Sequence, residues 1–369
     1  MKVRKLASVG IATGLLAGLV AVATPASADP VTGGYAVVGS DTLQDSMNAL
    51  VNGTSVTGAN VRVAANGVNL GSFDAFGASK IRTKVSGGYF TRPGGSGAGI
   101  SALLASISGN PLNGETLTGQ VDIARSSSGP SVVNVNGALV FVPFARDAVA
   151  YAYQVPASDT ACASALSSLT AAQLTALYNA SSANTTLCST PVTPRLPQSN
   201  SGTRKFFLKA LGVTTVGAAV PATDNQPTGP QENAGGQISD YQIIPFSAAS
   251  WIAQSNGAAP NTIAASPTLK LGAVNGQLAY SGTGSNLSPV AAAYSDTTFG
   301  RDTYLVVEYA RVNSADPKYD PALATLVDPS KGTNSLVSFV TALAGQPGAV
   351  KAKFGFMAPS TTTPTRADS

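Results

Sequence analysis

The chain has 369 residues, only 11% of them charged, and contains no histidine, which excludes Ser-His-Asp and Cys-His nucleophilic arrangements and any His-ligated zinc. Lys and Arg number 22 against 18 Asp and Glu, and without the three cations of the N-terminal leader the balance is 19 to 18. A nearly neutral chain without basic runs or interleaved aromatic and basic residues offers nothing to nucleic acid.

Residues 1–28 read as a secretory signal: Lys2, Arg4 and Lys5, an apolar run, then Ala26-Ser27-Ala28 as the cleavage site, near Ala28. No Cys lies near that site to carry a lipid, and no later stretch is long enough to span a bilayer. The expectation is an exported, unanchored protein, extracellular or periplasmic. Two cysteines, Cys162 and Cys188, suit an oxidising compartment and read as a disulfide.

In chain order, Gly34 to Val38 is an apolar strand that runs into Gly39-Ser40-Asp41-Thr42 and then a helix closed by Gly53. Gly87 to Phe90 lead into Thr91 to Gly99, with Arg92, Ser96 and Gly97, and a second helix ended by Gly109. Val121 to Ala124 empties into Arg125-Ser126-Ser127-Ser128-Gly129. Ala138 to Phe144 and Ala148 to Tyr153 read as core strands around Arg146-Asp147. Leu169 to Tyr178 is a short helix with Thr170 as N-cap. A fourth turn, Ser199-Asn200-Ser201-Gly202-Thr203-Arg204, opens another helix. Residues 213–230 read as loop, 238–253 as strand and helix, 304–310 as strand, 335–343 as helix and 361–369 as a disordered polar tail.

Strands alternating with helices predict parallel α/β sheets, whose ligands bind at the carboxyl ends of strands where helix N-termini converge. One such turn alone reads first as an ordinary helix N-cap. Four Ser/Thr/Gly turns at that edge predict a donor-rich pocket of anion size. The P-loop and dinucleotide glycine spacings are absent.

The order Gly39-Ser40-Asp41-Thr42, Gly95-Ser96-Gly97-Ala98-Gly99-Ile100, Val121-Asp122 to Ser126, then Ser201-Gly202-Thr203 resembles the phosphate-binding proteins of ABC transporters over nearly the whole chain after the leader. The resemblance implies a type II periplasmic-binding-protein fold: two α/β domains joined by a two-strand hinge with the ligand between them. It places domain 1 at 29–146 plus 304–360, domain 2 at 147–303, and the crossings near Phe144 to Asp147 and Arg301 to Leu305. It implies a monomer that binds inorganic phosphate or a related oxyanion, works with an ABC permease, and needs no cofactor or metal.

Carried over residue by residue, it assigns ligand contacts to Ser40, Thr42, Ser96, Gly97, Ser126, Ser127, Ser201, Gly202 and Thr203. Where the family has an acidic residue that accepts the proton of hydrogen phosphate, this chain has Ser127; where it has an arginine, this chain has Pro197. Arg92, Arg125, Arg195 and Arg204 lie in or beside the turns, and Arg125, inside one, is the expected cation. Without that carboxylate, discrimination between phosphate and sulfate is expected to weaken. Two other readings are a secreted binding or surface protein without a transporter, and a hydrolase using Ser96 with Lys80, Lys84 or Lys205. No catalytic residue is assigned.

Overall fold

The structure is a computed structural model, in which residues 29–53, 63, 67–184 and 186–369 are described. The expected leader lies outside the described residues.

The main strands and helices are β1 (Tyr35–Gly39), α1 (Gln44–Asn48), β2 (Leu70–Ser72), α2 (Ser96–Ser108), β3 (Ile123–Ser126) and β4 (Leu139–Gln154). They continue with α3 (Thr160–Leu166), α4 (Ala171–Asn179), α5 (Gly202–Ala210), β5 (Gln242–Ser247), α6 (Ala248–Ser255), β6 (Leu269–Val274) and β7 (Gly300–Glu308). The chain closes with α7 (Pro321–Leu326), α8 (Pro347–Lys353) and β8 (Thr365–Ala367). Capping residues mark several ends: Thr170 and Gln173 form a reciprocal capping box on α4, and Gly109, at φ 75°, ends α2.

Among the described residues the strands join one mixed sheet in the order β2-β1-β3-β7-β4-β6, with β5 and β8 also paired to β4. β1 runs parallel to β2 and β3, and β7 runs antiparallel to β3 and β4. The sixteen-residue β4 is shared by two lobes. Its residues Leu139 to Ala148 pair with β7, whereas Val149 to Gln154 pair with β5.

Side-chain alternation builds the cores on either side of that change. In the first lobe both sheet faces are covered. Tyr35, Val37, Val142, Phe144, Leu305 and Val307 enter one apolar cluster, while Ala36, Val38, Phe141 and Val306 enter another. A separate cluster gathers the far half of β4 with Leu166, Leu174, Phe207, Phe246 and Trp251. The disulfide Cys162–Cys188 lies within that second lobe. Among the described residues, no helix is long and apolar enough to cross a membrane.

Two expectations are corrected. Residues 335–343 are not helical. The Ser335 hydroxyl donates to Leu326 O and accepts from Val337 N, and the Leu336 carbonyl is taken by the buried Lys351 ammonium, so local side-chain bonds replace the helical ladder. Nor is the whole C-terminal stretch loose. β8 pairs antiparallel with Leu139 to Phe141, Ala367 is fully buried, and the Arg366 guanidinium lies over the Tyr309 ring at 3.5 Å. Polar composition concealed a strand anchored by one buried alanine, Ala367. Deleting residues 364–369 is expected to cost on the order of 2 kcal/mol and lower Tm by a few degrees in thermal melts, whereas an unattached tail would leave Tm unchanged.

Candidate anion-binding site

Three of the four hydroxyl-rich turns lie where a strand or loop hands over to a helix, and the remaining one, third in chain order, follows the end of β3 on its way to β4. Gly39 ends β1 at φ 109°, a conformation that turns the chain so that Ser40, Asp41 and Thr42 precede α1. α2 packs directly on this corner, since a Cβ on Gly99 would lie 2.6 Å from Gly39 Cα. Ser96 begins α2, and Ser127 follows β3. Ser127 N donates to Ser96 Oγ at 3.0 Å, and the two hydroxyl oxygens are 3.2 Å apart.

The fourth turn comes from the other lobe. Ser201 caps α5 by accepting from Arg204 N, and Gly97 N donates to Asn200 O at 3.1 Å across the lobes. Gly202 is pressed against the first lobe: a Cβ there would lie 2.3 Å from Ser96 Oγ and 2.4 Å from Ser127 Oγ. The lobes are closed on each other at this point.

An acidic side chain lies at the centre of the closed turns. Glu232 is fully buried. Its Oε2 accepts from Thr42 Oγ1 at 2.7 Å, Ser40 Oγ at 3.3 Å and Ser127 Oγ at 3.5 Å, and its Oε1 accepts from Thr203 N at 3.2 Å. Burial alone would raise its pKa. Hydrogen bonds from Asp41, Ser201 and Thr42, with the Arg301 charge, outweigh that and hold it below the ordinary glutamate value.

Arg301 supplies the positive charge. It lies on β7 beside the point where β4 changes partner, and its Nη2 donates to Asp147 Oδ2 at 2.8 Å and to Thr203 Oγ1 at 3.0 Å. Asp147, buried on β4, also accepts from Ala249 N, so the ion pair is fixed from three sides. Among the described residues, Arg301 Nη1 is buried without a hydrogen-bond partner.

Asp41 is the second buried carboxyl. Its Oδ2 accepts from Glu232 N at 3.0 Å. Desolvation first, then the Glu232 charge and hydrogen bond, raise its pKa well above the ordinary value. Of these two neighbouring carboxyls, Asp41 is the one pushed toward its neutral form and Glu232 the one held toward its ionised form. Asp41 Oδ1 is buried without a hydrogen-bond partner among the described residues.

The structure therefore gathers Ser40, Thr42, Ser96, Ser127, Ser201, Gly202 and Thr203 from the expected set. Gly97 contributes its amide to the contact between lobes, and the Ser126 hydroxyl is turned to Ser128 O. The arginines are placed elsewhere. Arg125, fully buried, donates to the carbonyls of Gly39, Ser40 and Phe73 and to Ser72 Oγ, so it braces the turns from behind. Arg92 pairs with Asp29, Arg195 pairs with Asp224, and Arg204 binds the carbonyls of Pro197 and Asp224. Lys80 and Lys84 pair with Glu115 and Asp122, and Lys205 donates to Ser131, which directs none of these bonds to Ser96.

Sequence reasoning missed Glu232, Arg301 and Asp41 as site residues. Glu232 follows a Pro/Gly-rich loop with no motif around it. The Arg146-Asp147 and Arg301-Asp302 dipeptides, unusual charges inside apolar strands, were the available signal for Arg301.

No protein-family model matches the chain, and neither does any curated protein. Solved structures similar to it include a substrate-binding protein with bound phosphate from Clostridium perfringens, at TM-score 0.49 and 14% identity, covering 88% of this chain and 99% of that one. A phosphate-binding protein from Stenotrophomonas maltophilia has TM-score 0.48 and 13% identity over 89% of this chain and 91% of that one. An ABC-type phosphate transport receptor from Vibrio cholerae has TM-score 0.47 and 15% identity over 88% of this chain and 100% of that one.

Two outcomes follow from the geometry. A group whose folded pKa is raised stabilises the fold fully below its unfolded pKa of about 4, and that contribution is lost as pH rises above it. Asp41→Asn, which keeps a donor and an acceptor in place, is expected to remove this loss, so its Tm relative to the parent increases from pH 4 to 8; parallel Tm curves would contradict the raised Asp41 pKa. Asp147→Ala, which strands the Arg301 charge in the interior, is expected to cost about 3–5 kcal/mol in denaturant titration.

Proposed function

We propose that this chain is an exported solute-binding protein that captures phosphate or a related tetrahedral oxyanion between its two lobes, divided at 29–146 plus 304–360 and 147–303. The observation that carries this reading is the convergence of Ser40, Thr42, Ser127 and the Thr203 amide on one buried carboxylate beside Arg301. That is an anion site with an anion in it. A hydrogen bond to a charged group contributes about 1.5–3 kcal/mol, so the hydroxyls, amides and guanidinium around this seat suffice for the roughly 8 kcal/mol of micromolar binding once association costs are subtracted.

The buried Asp41 changes the expected selectivity. Ser127 takes the place of an acidic residue in its own turn, but Asp41 brings a carboxyl to the same seat from the first turn. With Glu232 out of the seat, Asp41 loses the neighbouring charge that helps raise its pKa, and once ionised it favours an oxyanion that carries its own proton over one that does not, which supports phosphate over sulfate. Delivery to an ABC permease is the use we propose for the captured anion. Residues 1–28, read as an export signal, support a location outside the cytoplasm.

Isothermal titration with phosphate and then sulfate, after unfolding and refolding to remove carried-over ligand, tests this. Phosphate is expected to bind saturably and sulfate at least tenfold more weakly. Thr42→Val, which removes the shortest hydroxyl contact, is expected to weaken phosphate binding by roughly 10–100-fold. No heat with either anion from folded protein would contradict the reading, and equal affinities would contradict the role of Asp41.

A further inference from the structure

Resting on the reading above, we propose that Glu232 is an internal ligand: its carboxylate holds the oxyanion seat in the empty protein and must be withdrawn before an external oxyanion can bind. The seat is closed to a second anion while Glu232 is there. Thr42 Oγ1, Ser40 Oγ, Ser127 Oγ and Thr203 N are all directed at its two oxygens. A tetrahedral dianion placed beside an ionised, fully buried carboxylate would meet like-charge repulsion in a medium that screens it poorly. Exchange, and not addition, is therefore the chemistry the site allows.

The segment that carries Glu232 is built to make that exchange without unfolding the lobe. Upstream it is tied at Asp224, which accepts from Arg195 and from Leu196 N and whose own carbonyl accepts from Arg204. Downstream it is tied at Asn233, whose carbonyl accepts from Gln254 Nε2 and Thr262 Oγ1. Between these ties residues 225–228 lie exposed at the surface, and the span is held by single bonds: Asn225 Oδ1 accepts from Arg204, Gln226 O from Ser199 N, Pro230 O from Gln198 N, and Gln231 N donates to Gln237 Oε1, none of which involves the Glu232 side chain. The Glu232 amide is attached to the first lobe through Asp41 Oδ2, so the carboxylate and its backbone together bridge the lobes. Withdrawal of Glu232 breaks that bridge and presents the same hydroxyls, amide and guanidinium to the incoming anion.

Glu232 consequently sets the affinity threshold. The apparent affinity for phosphate is the intrinsic affinity of the vacated seat reduced by the fraction of molecules in which Glu232 is withdrawn. Removing the competing charge removes that reduction. It also identifies the class of ligand able to win the exchange: one with more charge and more acceptor oxygens than a carboxylate.

Phosphate titrations of the parent chain, Glu232→Gln and Glu232→Ala test the proposal, with thermal melts to verify folding. Both variants are expected to bind inorganic phosphate at least tenfold more tightly than the parent. In hydrogen exchange of the parent, the peptide covering residues 225–233 is expected to lose protection when phosphate saturates the protein, a readout that does not depend on any variant folding. Parent affinity equal to or tighter than both variants, with unchanged exchange at 225–233, would overturn the internal-ligand role while leaving the oxyanion site standing. Absence of phosphate and sulfate binding in all three proteins would instead overturn the functional reading and this proposal with it.

Discussion

A carboxylate survives in a protein interior only where hydrogen bonds and a positive charge stand in for the water it has lost. Glu232 meets that condition with donors drawn from both lobes, and most of what is distinctive in this chain follows from it. The first, third and fourth turns each direct a donor at its oxygens, and Ser96 of the second backs Ser127. Arg301 supplies the charge, Asp147 fixes Arg301, and Asp41, its pKa raised by burial and by Glu232, favours its neutral form so that two carboxyls can lie in one small space. Remove the anion and several buried donors lose their partner at once.

The fold explains why residues so distant in sequence meet there. β4 and β7 run antiparallel through the place where one lobe gives way to the other, and the Asp147–Arg301 pair lies on them at that place. An ion pair placed where β4 changes partner is close to both lobes. The Ser-Gly-Thr turn reaches it from the second lobe because Gly202 has no side chain to hold the lobes apart. Arg125 does complementary work behind the site, holding the carbonyls of Gly39, Ser40 and Phe73 so that the first turn keeps its shape. Its pKa falls to about 10 through burial, partly offset by Asp74, Asp41 and Asp45, and it remains charged at neutral pH.

Local signals made much of the architecture legible. Glycine stops, hydroxyl caps and apolar alternation located β1, α2, β3, α4 and α5, and the recurrence of one kind of turn pointed to residues that the structure brings together. What was not legible was set by tertiary context. The segment 335–343 has apolar spacing that suits a helix, yet the Ser335 hydroxyl and the Lys351 ammonium claim its backbone groups. β8 is a strand because Leu139 to Phe141 offer it an edge, not because its own residues demand one. In the site, hydroxyls were found because they belong to motifs. Glu232 and Arg301 were missed because a charge in a loop or a strand acquires its role only from what the fold places opposite it.

The most direct measurement is a crystal structure of the refolded protein grown with and without phosphate. The account predicts Glu232 on Thr42 and Thr203 in the phosphate-free crystal, and in the other a phosphate at that position beside Arg301 with the Glu232 side chain withdrawn. Glu232 still seated on the same hydroxyls at saturating phosphate, with no anion between the lobes, would contradict it.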